Sequence, residues 1–228
     1  MNPVKFSCKA VRYVRKLLGA SPGVVLGLGA LVSLLMISPL LSADEPANVM
    51  RVEEDWEVVL NEPGENVDAP QFHTIISPYA SLESYHLQVC WNYRELPDFA
   101  AGGMQLVARA GDWCVGSKTC RANRLSTVAE TITWTAAIET NSSRLTFEIA
   151  NGQSTTWGSF GGPESRLSGT VYVPHLNGYS TDFSADKSWI SHGANRVNLL
   201  RITEVRRYDG EGNLISRDTT PRVVFELE

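Results

Sequence analysis

Basic residues are scarce in this sequence beyond its first 43 residues. Those 43 residues hold five lysines and arginines and no acid, so residues 44–228 carry 15 Lys and Arg against 25 Asp and Glu, a net charge of −10. An acidic surface of this kind repels phosphate backbones. The composition therefore predicts no nucleic-acid partner.

The sequence also lacks the short motifs of several enzyme classes. It contains no Gly-x-Ser-x-Gly elbow, no Walker loop, no dinucleotide-binding glycine fingerprint and no His-Glu-x-x-His pair. Its four cysteines and four histidines show no Cys-x2-Cys or His-x3-His spacing, which is the spacing typical of zinc ligands. The sequence thus predicts neither a metal site nor a cofactor.

The N-terminal segment, residues 1–43, predicts export. A basic stretch is followed by an apolar run over residues 24–41 and by the small residues Ser42 and Ala43, which is typical of a cleavable signal peptide. The run has 18 residues, near the lower length limit of a membrane-spanning helix, so an uncleaved anchor is the alternative. Both interpretations place residues 44–228 outside the cytoplasm, in a secreted, periplasmic or cell-surface protein.

Beyond residue 68 the apolar residues recur with a period of two, which predicts β-strands. Residues 131–138 and 145–150 alternate in this way. Asn151 and Gly152 follow the second segment, and this pair favours the positive φ angles of a tight hairpin turn. The pattern predicts that the chain reverses there.

The number of such segments predicts the fold class. Nine or ten short strands are indicated, among them residues 197–208, and no long amphipathic helix accompanies them. Residues 44–228 are long enough for one well-buried domain and too short for two. We therefore expect a single all-β domain, a two-layer antiparallel β-sandwich of the jelly-roll or Greek-key type, with a closed β-barrel as the alternative.

An acidic segment, residues 44–68, precedes this pattern and predicts a solvated lead-in with one short strand at residues 56–60. On a strand, Glu53, Asp55 and Glu57 point to the same side. Their spacing resembles the Glu-x-Asp-x-Glu motif of the laminarinase-like sandwich glycosidases, which implies the roles of nucleophile, helper and general acid. A fourth acid between them and the position near the start of the exported chain favour a solvated acidic face instead.

Three stretches, residues 53–63, 154–162 and 218–224, resemble a group of exported bacterial β-sandwich proteins with no known activity. The resemblance covers much of the exported chain. It implies a single domain and brings no catalytic residues with it.

One candidate saccharide site is the string of hydroxyl-bearing residues and glycines at 154–163, which contains Trp157 and Phe160. Such residues build loops on which β-sandwich proteins stack sugar rings. The alternative is that Trp157 faces the core and that the glycines only form a turn.

A second candidate site is the short segment that holds Trp189, His192, Asn195 and Arg196. Its imidazole, amide and guanidinium groups suit a hydroxyl or a carboxylate of a saccharide. The alternative is that the polar residues cap turns and that Arg196 pairs with a nearby carboxylate.

The exported part keeps three cysteines, Cys90, Cys114 and Cys120, an odd number for an oxidising compartment. The sharpest pairing is a disulfide between Cys114 and Cys120, which would close a short polar loop at a hairpin tip. Pairings of Cys90 with either of the others and three unpaired thiols stay open as alternatives.

The sequence therefore favours an exported, non-catalytic binding module whose ligand is extracellular carbohydrate. A structural or adhesive protein of the envelope or matrix is the alternative, and a jelly-roll glycosidase or polysaccharide lyase comes third. A groove lined by hydroxyls and aromatic rings would indicate binding, and converging carboxylates would indicate hydrolysis. A flat aliphatic face would indicate a structural role.

Overall fold

Antiparallel strands dominate the computed structural model, which describes residues 47–61, 71–92, 103–191 and 196–228. The described residues contain thirteen strands and two short helical segments. The strands are β1 (Arg51–Leu60), β2 (Phe72–Ile76), β3 (Tyr85–Trp91), β4 (Met104–Ala110), β5 (Trp113–Arg121), β6 (Thr131–Thr140), β7 (Ser142–Ser154), β8 (Gly158–Phe160), β9 (Arg166–Val173), β10 (Trp189–Ile190), β11 (Val197–Tyr208), β12 (Leu214–Asp218) and β13 (Arg222–Glu226). A 3₁₀ turn spans Pro163–Ser165, and helix α1 spans Thr181–Lys187.

The strands form two sheets. The larger has eight strands in the order β12-β11-β1-β6-β7-β8, with β13 also paired to β11 and β9 also paired to β7. The smaller has the order β10-β2-β3-β4-β5. Every strand pair is antiparallel, and neither sheet closes into a barrel within the described part of the chain. The prediction of an all-β, two-layer antiparallel sandwich is confirmed.

The core lies between the two sheets and is built around tryptophan. Trp56 and Trp134 come from adjacent strands of the larger sheet, and their ring centroids are 5.9 Å apart with nearly parallel planes. Trp91 of the smaller sheet meets Trp134 at 4.2 Å. All three side chains are buried. Each contributes on the order of 2–3 kcal/mol through the apolar area it removes from water.

Strand β1 is a central strand, which corrects the prediction of a solvated acidic lead-in. It starts at Arg51 and pairs with β6 on one side and with β11 on the other. Its residues alternate strictly between buried and half-buried, so Glu53, Asp55 and Glu57 point away from the core while the residues between them point into it. Pairing on both edges satisfies the backbone and holds this alternation along the whole strand.

The sequence predicted that the chain reverses at Asn151 and Gly152, and the structure shows that it does not. Strand β7 continues through both residues to Ser154, and Asn151 adopts the left-handed φ of 54°. The register between β6 and β7 shifts at this point, so the pair forms a β-bulge. The reversal comes after Ser154 and leads into β8, which pairs back onto β7. In this pairing Phe160 lies opposite Gly152, and its ring lies against that glycine.

The predicted disulfide between Cys114 and Cys120 is not formed. Both residues lie on one extended strand, β5, which pairs with β4 over its whole length. Six residues of extended strand separate their Cα atoms by roughly 20 Å, whereas a disulfide needs Cα atoms within about 7 Å. The small and polar residues between the two cysteines, Gly116, Ser117 and Lys118, predicted a loop but lie within the strand.

Residues 1–46, with the predicted signal peptide or anchor, lie outside the described residues. From Ala47 onward the chain forms one compact unit. Among the described residues, no helix is long and apolar enough to cross a membrane.

Candidate functional site

The outward side of the larger sheet carries polar side chains at its centre, and we call this area the polar face. Cross-strand register brings Asp55 beside Thr135 and Glu57 beside Thr133. The polar face consists of Arg51, Glu53, Asp55, Glu57, Thr133, Thr135, Glu139, Glu148, Asn151, Arg166, Arg201, Thr203, Glu204, Arg206, Tyr208 and Arg217.

A cavity of about 450 Å³ opens on the polar face. Polar residues from four adjacent strands line it, namely Asp55, Glu57, Thr133, Thr135, Asn151, Thr203 and Arg206. Trp56 and Trp134 also line it, although their rings lie in the core. The volume falls within the range of small-ligand sites, so the cavity can take a sugar unit or a similar polar molecule.

Asp55 and Arg206 form the centre of the site. Arg206 donates from Nη1 to Asp55 Oδ2 at 2.6 Å and from Nη2 to Oδ1 at 2.9 Å, a two-point contact that fixes both planar groups. Thr135 donates to Asp55 Oδ1 at 2.7 Å, and Asn151 donates to Thr135 Oγ1 at 3.2 Å. The bulge at Asn151 therefore extends the network from β1 across β6 to β7.

Arg206 also joins two further carboxylates to this centre. Its Nε donates to Glu53 at 3.0 Å and its Nη1 to Glu204 at 2.6 Å. These hydrogen bonds, that to Asp55 foremost, raise the pKa of Arg206. Burial opposes ionisation of Glu53, yet hydrogen bonds from Arg51 and Arg206 bring the pKa of Glu53 below its ordinary value. The guanidinium of Arg206 is thus permanently charged and held in one orientation.

The remaining acids of the polar face are held in the same manner. Arg217 donates to Glu204 at 2.6 Å, and this hydrogen bond is the main cause that lowers the pKa of Glu204. Arg201 donates from Nη2 to both oxygens of Glu57, at 3.2 and 3.3 Å. Each carboxylate near the cavity is therefore paired with an arginine, and the network is set before any ligand arrives.

The structure does not form the first predicted saccharide site. Phe160 is only 5% exposed, because its ring lies against Gly152 and meets the edge of Trp157. Trp157 is half-buried against Trp91 and donates from Nε1 to the carbonyl of Asn123 at 3.0 Å. The ring of Phe160 is therefore not available to a sugar, whereas a role for the half-buried Trp157 stays a prediction.

Two residues of the second predicted site, Trp189 and Arg196, lie in the described part of the chain, and Arg196 is not available to a ligand. Arg196 is 1% exposed and donates to the side chain of Gln71 and to the carbonyl of Leu125, so it ties loops together inside the protein. Trp189 is partly exposed and stacks on His73 with ring centroids 4.2 Å apart. His192 and Asn195 lie outside the described residues.

No protein-family model matches the chain, and no curated protein is similar to it. One solved structure is similar: the catalytic domain of a GH131 β-glucanase from Podospora anserina, with 11% identity over 78% of this chain and a TM-score of 0.26. The similar region spans 59% of that domain. A similarity at this TM-score assigns no property to the present chain.

The sequence predicted some of the residues that line the cavity but not Arg206. It placed Asp55 and Glu57 on one side of a strand, and it placed the alternating threonines of β6 opposite the core. It missed Arg206, whose contact with Asp55 joins residues 151 positions apart. The alternation within β11 could have indicated an outward arginine, but not its partner.

Proposed function

We propose that this exported protein binds a saccharide in the cavity of the polar face and does not cleave it. One observation carries the proposal: carboxylate, hydroxyl, amide and guanidinium groups of four adjacent strands converge on one cavity and orient each other. A pyranose ring presents neighbouring hydroxyls that each donate and accept hydrogen bonds, and this set of side chains complements them.

The pairing of the acids supports binding without hydrolysis. Glycosidases of the two-carboxylate type need one carboxyl that stays protonated and donates its proton to the leaving oxygen. On the polar face, Glu53 and Glu204 have lowered pKa values. Asp55 accepts hydrogen bonds on both oxygens, and Glu57 is held by Arg201. The arrangement therefore provides acceptors for sugar hydroxyls and no evident proton donor.

Two substitutions in the cavity test the proposal. Thr135→Val keeps the shape of the side chain and removes its hydroxyl, and Asn151→Gly removes the amide while tolerating the left-handed φ of that position. We expect each to weaken saccharide binding by about tenfold. Asn151→Gly removes a hydrogen-bonding group from the cavity, and Thr135→Val releases Asp55 and Asn151, which the buried hydroxyl holds in place. Binding is measured on a glycan array and then by calorimetry with the best ligand.

Ser168→Ala is the matched control, because Ser168 lies on β9 and is not among the residues that line the cavity. It should bind like the wild-type protein. Failure of the wild-type protein to bind any saccharide, or equal binding by all variants, would refute the proposal. Release of new reducing ends from the bound polysaccharide would instead show a glycosidase.

A further inference from the structure

The charges of the polar face are balanced almost completely. The face has five arginines and six carboxylates, and each of these eleven side chains takes part in at least one ion pair. The pairs are Arg51 with Glu53 and Glu139, Arg166 with Glu148, Arg201 with Glu57, Arg206 with Glu53, Asp55 and Glu204, and Arg217 with Glu204. Among the described residues, each of these five arginines thus already pairs with at least one carboxylate of the face.

An anionic sugar would therefore meet repulsion in the cavity. Its carboxylate or sulfate would lie beside Asp55 and Glu57, which both line the cavity. Like charges at contact distance oppose each other, and an arginine of the face would have to share its charge between the ligand and the carboxylate that it already holds. The net charge of −10 over residues 44–228 adds a longer-range repulsion, which salt screens beyond about 8 Å.

A cationic sugar finds no unpaired carboxylate among the residues that line the cavity. Its ammonium group would have to draw Asp55 away from the two-point contact with Arg206, or Glu57 away from Arg201. An uncharged hydroxyl avoids both costs, because a carboxylate oxygen that already accepts one hydrogen bond keeps a further lone pair for another. The Thr133 hydroxyl and the second N–H of the Asn151 amide add donors that suit the same ligand.

We propose that the polar face selects uncharged saccharides and discriminates against acidic sugars. This inference rests on the proposed function and specifies its ligand class. It follows from the pairing of every arginine on the face together with the carboxylates that line the cavity.

The first test compares three classes of polymer with the full-length protein: neutral β-glucan, galactomannan and xylan; polygalacturonate; and chitosan. We expect at least one neutral polymer to bind about tenfold more tightly than polygalacturonate, and binding of chitosan to weaken as salt screens its attraction to the acidic protein. The dissociation constant of that neutral polymer should change less than about twofold between roughly 20 mM and 500 mM NaCl, because no counterions are exchanged. The affinities are measured by calorimetry.

A second test unpairs one arginine beside the cavity. Glu57→Gln removes the only carboxylate to which Arg201 is paired among the described residues, so the variant should bind polygalacturonate about tenfold more tightly than the wild-type protein at low salt. The gain should vanish at high salt. Glu148→Gln is the control, because it unpairs Arg166 away from the cavity lining and changes the net charge by the same amount.

The outcomes separate the two proposals. Binding of polygalacturonate by the wild-type protein as tight as that of every neutral polymer overturns the selectivity and leaves saccharide binding standing. An equal gain for Glu148→Gln and Glu57→Gln also overturns it, because long-range charge would then suffice. If no polymer binds the wild-type protein, both proposals fail.

Discussion

Glu54 is a fully buried acid behind the polar face. It lies on the core side of β1 and accepts hydrogen bonds from Trp56 Nε1 at 2.9 Å and from the Tyr179 hydroxyl at 2.7 Å. Burial raises the pKa of Glu54 to about 7, although hydrogen bonds from Ser184, Tyr179 and Trp56 oppose this shift. A carboxyl of this kind makes folding sensitive to pH near neutrality.

The direction of that pH dependence follows from proton linkage. Between the ordinary pKa of 4.5 and the folded value of about 7 the folded state binds more protons, so the stability that Glu54 contributes is present below pH 4.5 and is lost as the pH rises through 7. The loss amounts to about 3 kcal/mol. We expect the free energy of unfolding of Glu54→Gln, relative to that of the wild-type protein, to increase by roughly that amount between pH 4.5 and 8. The measurement is urea unfolding over this pH range.

Glu53→Gln is the control for this measurement, because Glu53 has a lowered pKa and is its neighbour on the opposite side of β1. Its stability difference from the wild-type protein should stay nearly constant above about pH 5 and change only as the pH falls below 4.5, because the lowered pKa of Glu53 puts its titration there. A difference between Glu54→Gln and wild type that stays constant over the whole pH range would contradict the assignment.

Gly152 shows how one missing side chain determines a strand pairing. A Cβ atom at this position would lie 2.4 Å from the ring of Phe160. We expect Gly152→Ala to lower the free energy of unfolding by about 2–3 kcal/mol, because the buried ring has little room to move. Thermal unfolding of Gly116→Ala, where nothing lies within 4 Å, provides the control and should change stability by less than about 0.5 kcal/mol. Equal effects of the two substitutions would argue against the steric cause.

At the scale of elements, β1 and β11 are joined by side chains as well as by the backbone. Arg206 of β11 reaches Glu53 and Asp55 of β1, and its side chain is 20% exposed. We expect Arg206→Gln to reduce stability by about 1–2 kcal/mol, between the values typical of exposed and buried pairs. The measurement is the urea midpoint of the purified protein.

Arg217→Gln is the matched control for this pair of strands. The Arg217 side chain is 60% exposed and contacts Glu204 alone among the described acids, so its removal should leave the urea midpoint unchanged within error. If both variants were equally stable, the network around Arg206 would orient the site without holding β11 to β1.

The edge strand β5 explains where the sequence pattern failed. Its residues are mostly exposed or half-buried, and β4 is its partner in the smaller sheet. An edge strand of this kind buries no regular set of side chains, so its sequence lacks the alternation that predicted strands within β6 and β7. Pairing with β4 makes this segment a strand. Because the segment is extended and not a loop, Cys114 and Cys120 lie too far apart to form the predicted disulfide.

At the scale of the whole molecule, we propose that the leader directs export and is removed after Ala43. The small residues that follow the apolar run at 24–41 support cleavage there. Expression of the full chain in a bacterium should yield an exported protein whose intact mass corresponds to residues 44–228. An uncleaved chain in the membrane fraction would support the anchor instead, and retention in the cytoplasm would contradict export.

The sequence by itself determined which side chains share a face. The alternation along β6 separates the threonines from Ile132 and Trp134, and it needs only the local geometry of an extended strand. The tertiary structure decided which faces meet and in what register. Thr135 and Arg206 come to Asp55 from positions 80 and 151 residues away, and local periodicity carries no information on pairing over such distances. For the same reason the cavity and its balanced charges became visible only in the folded sheet.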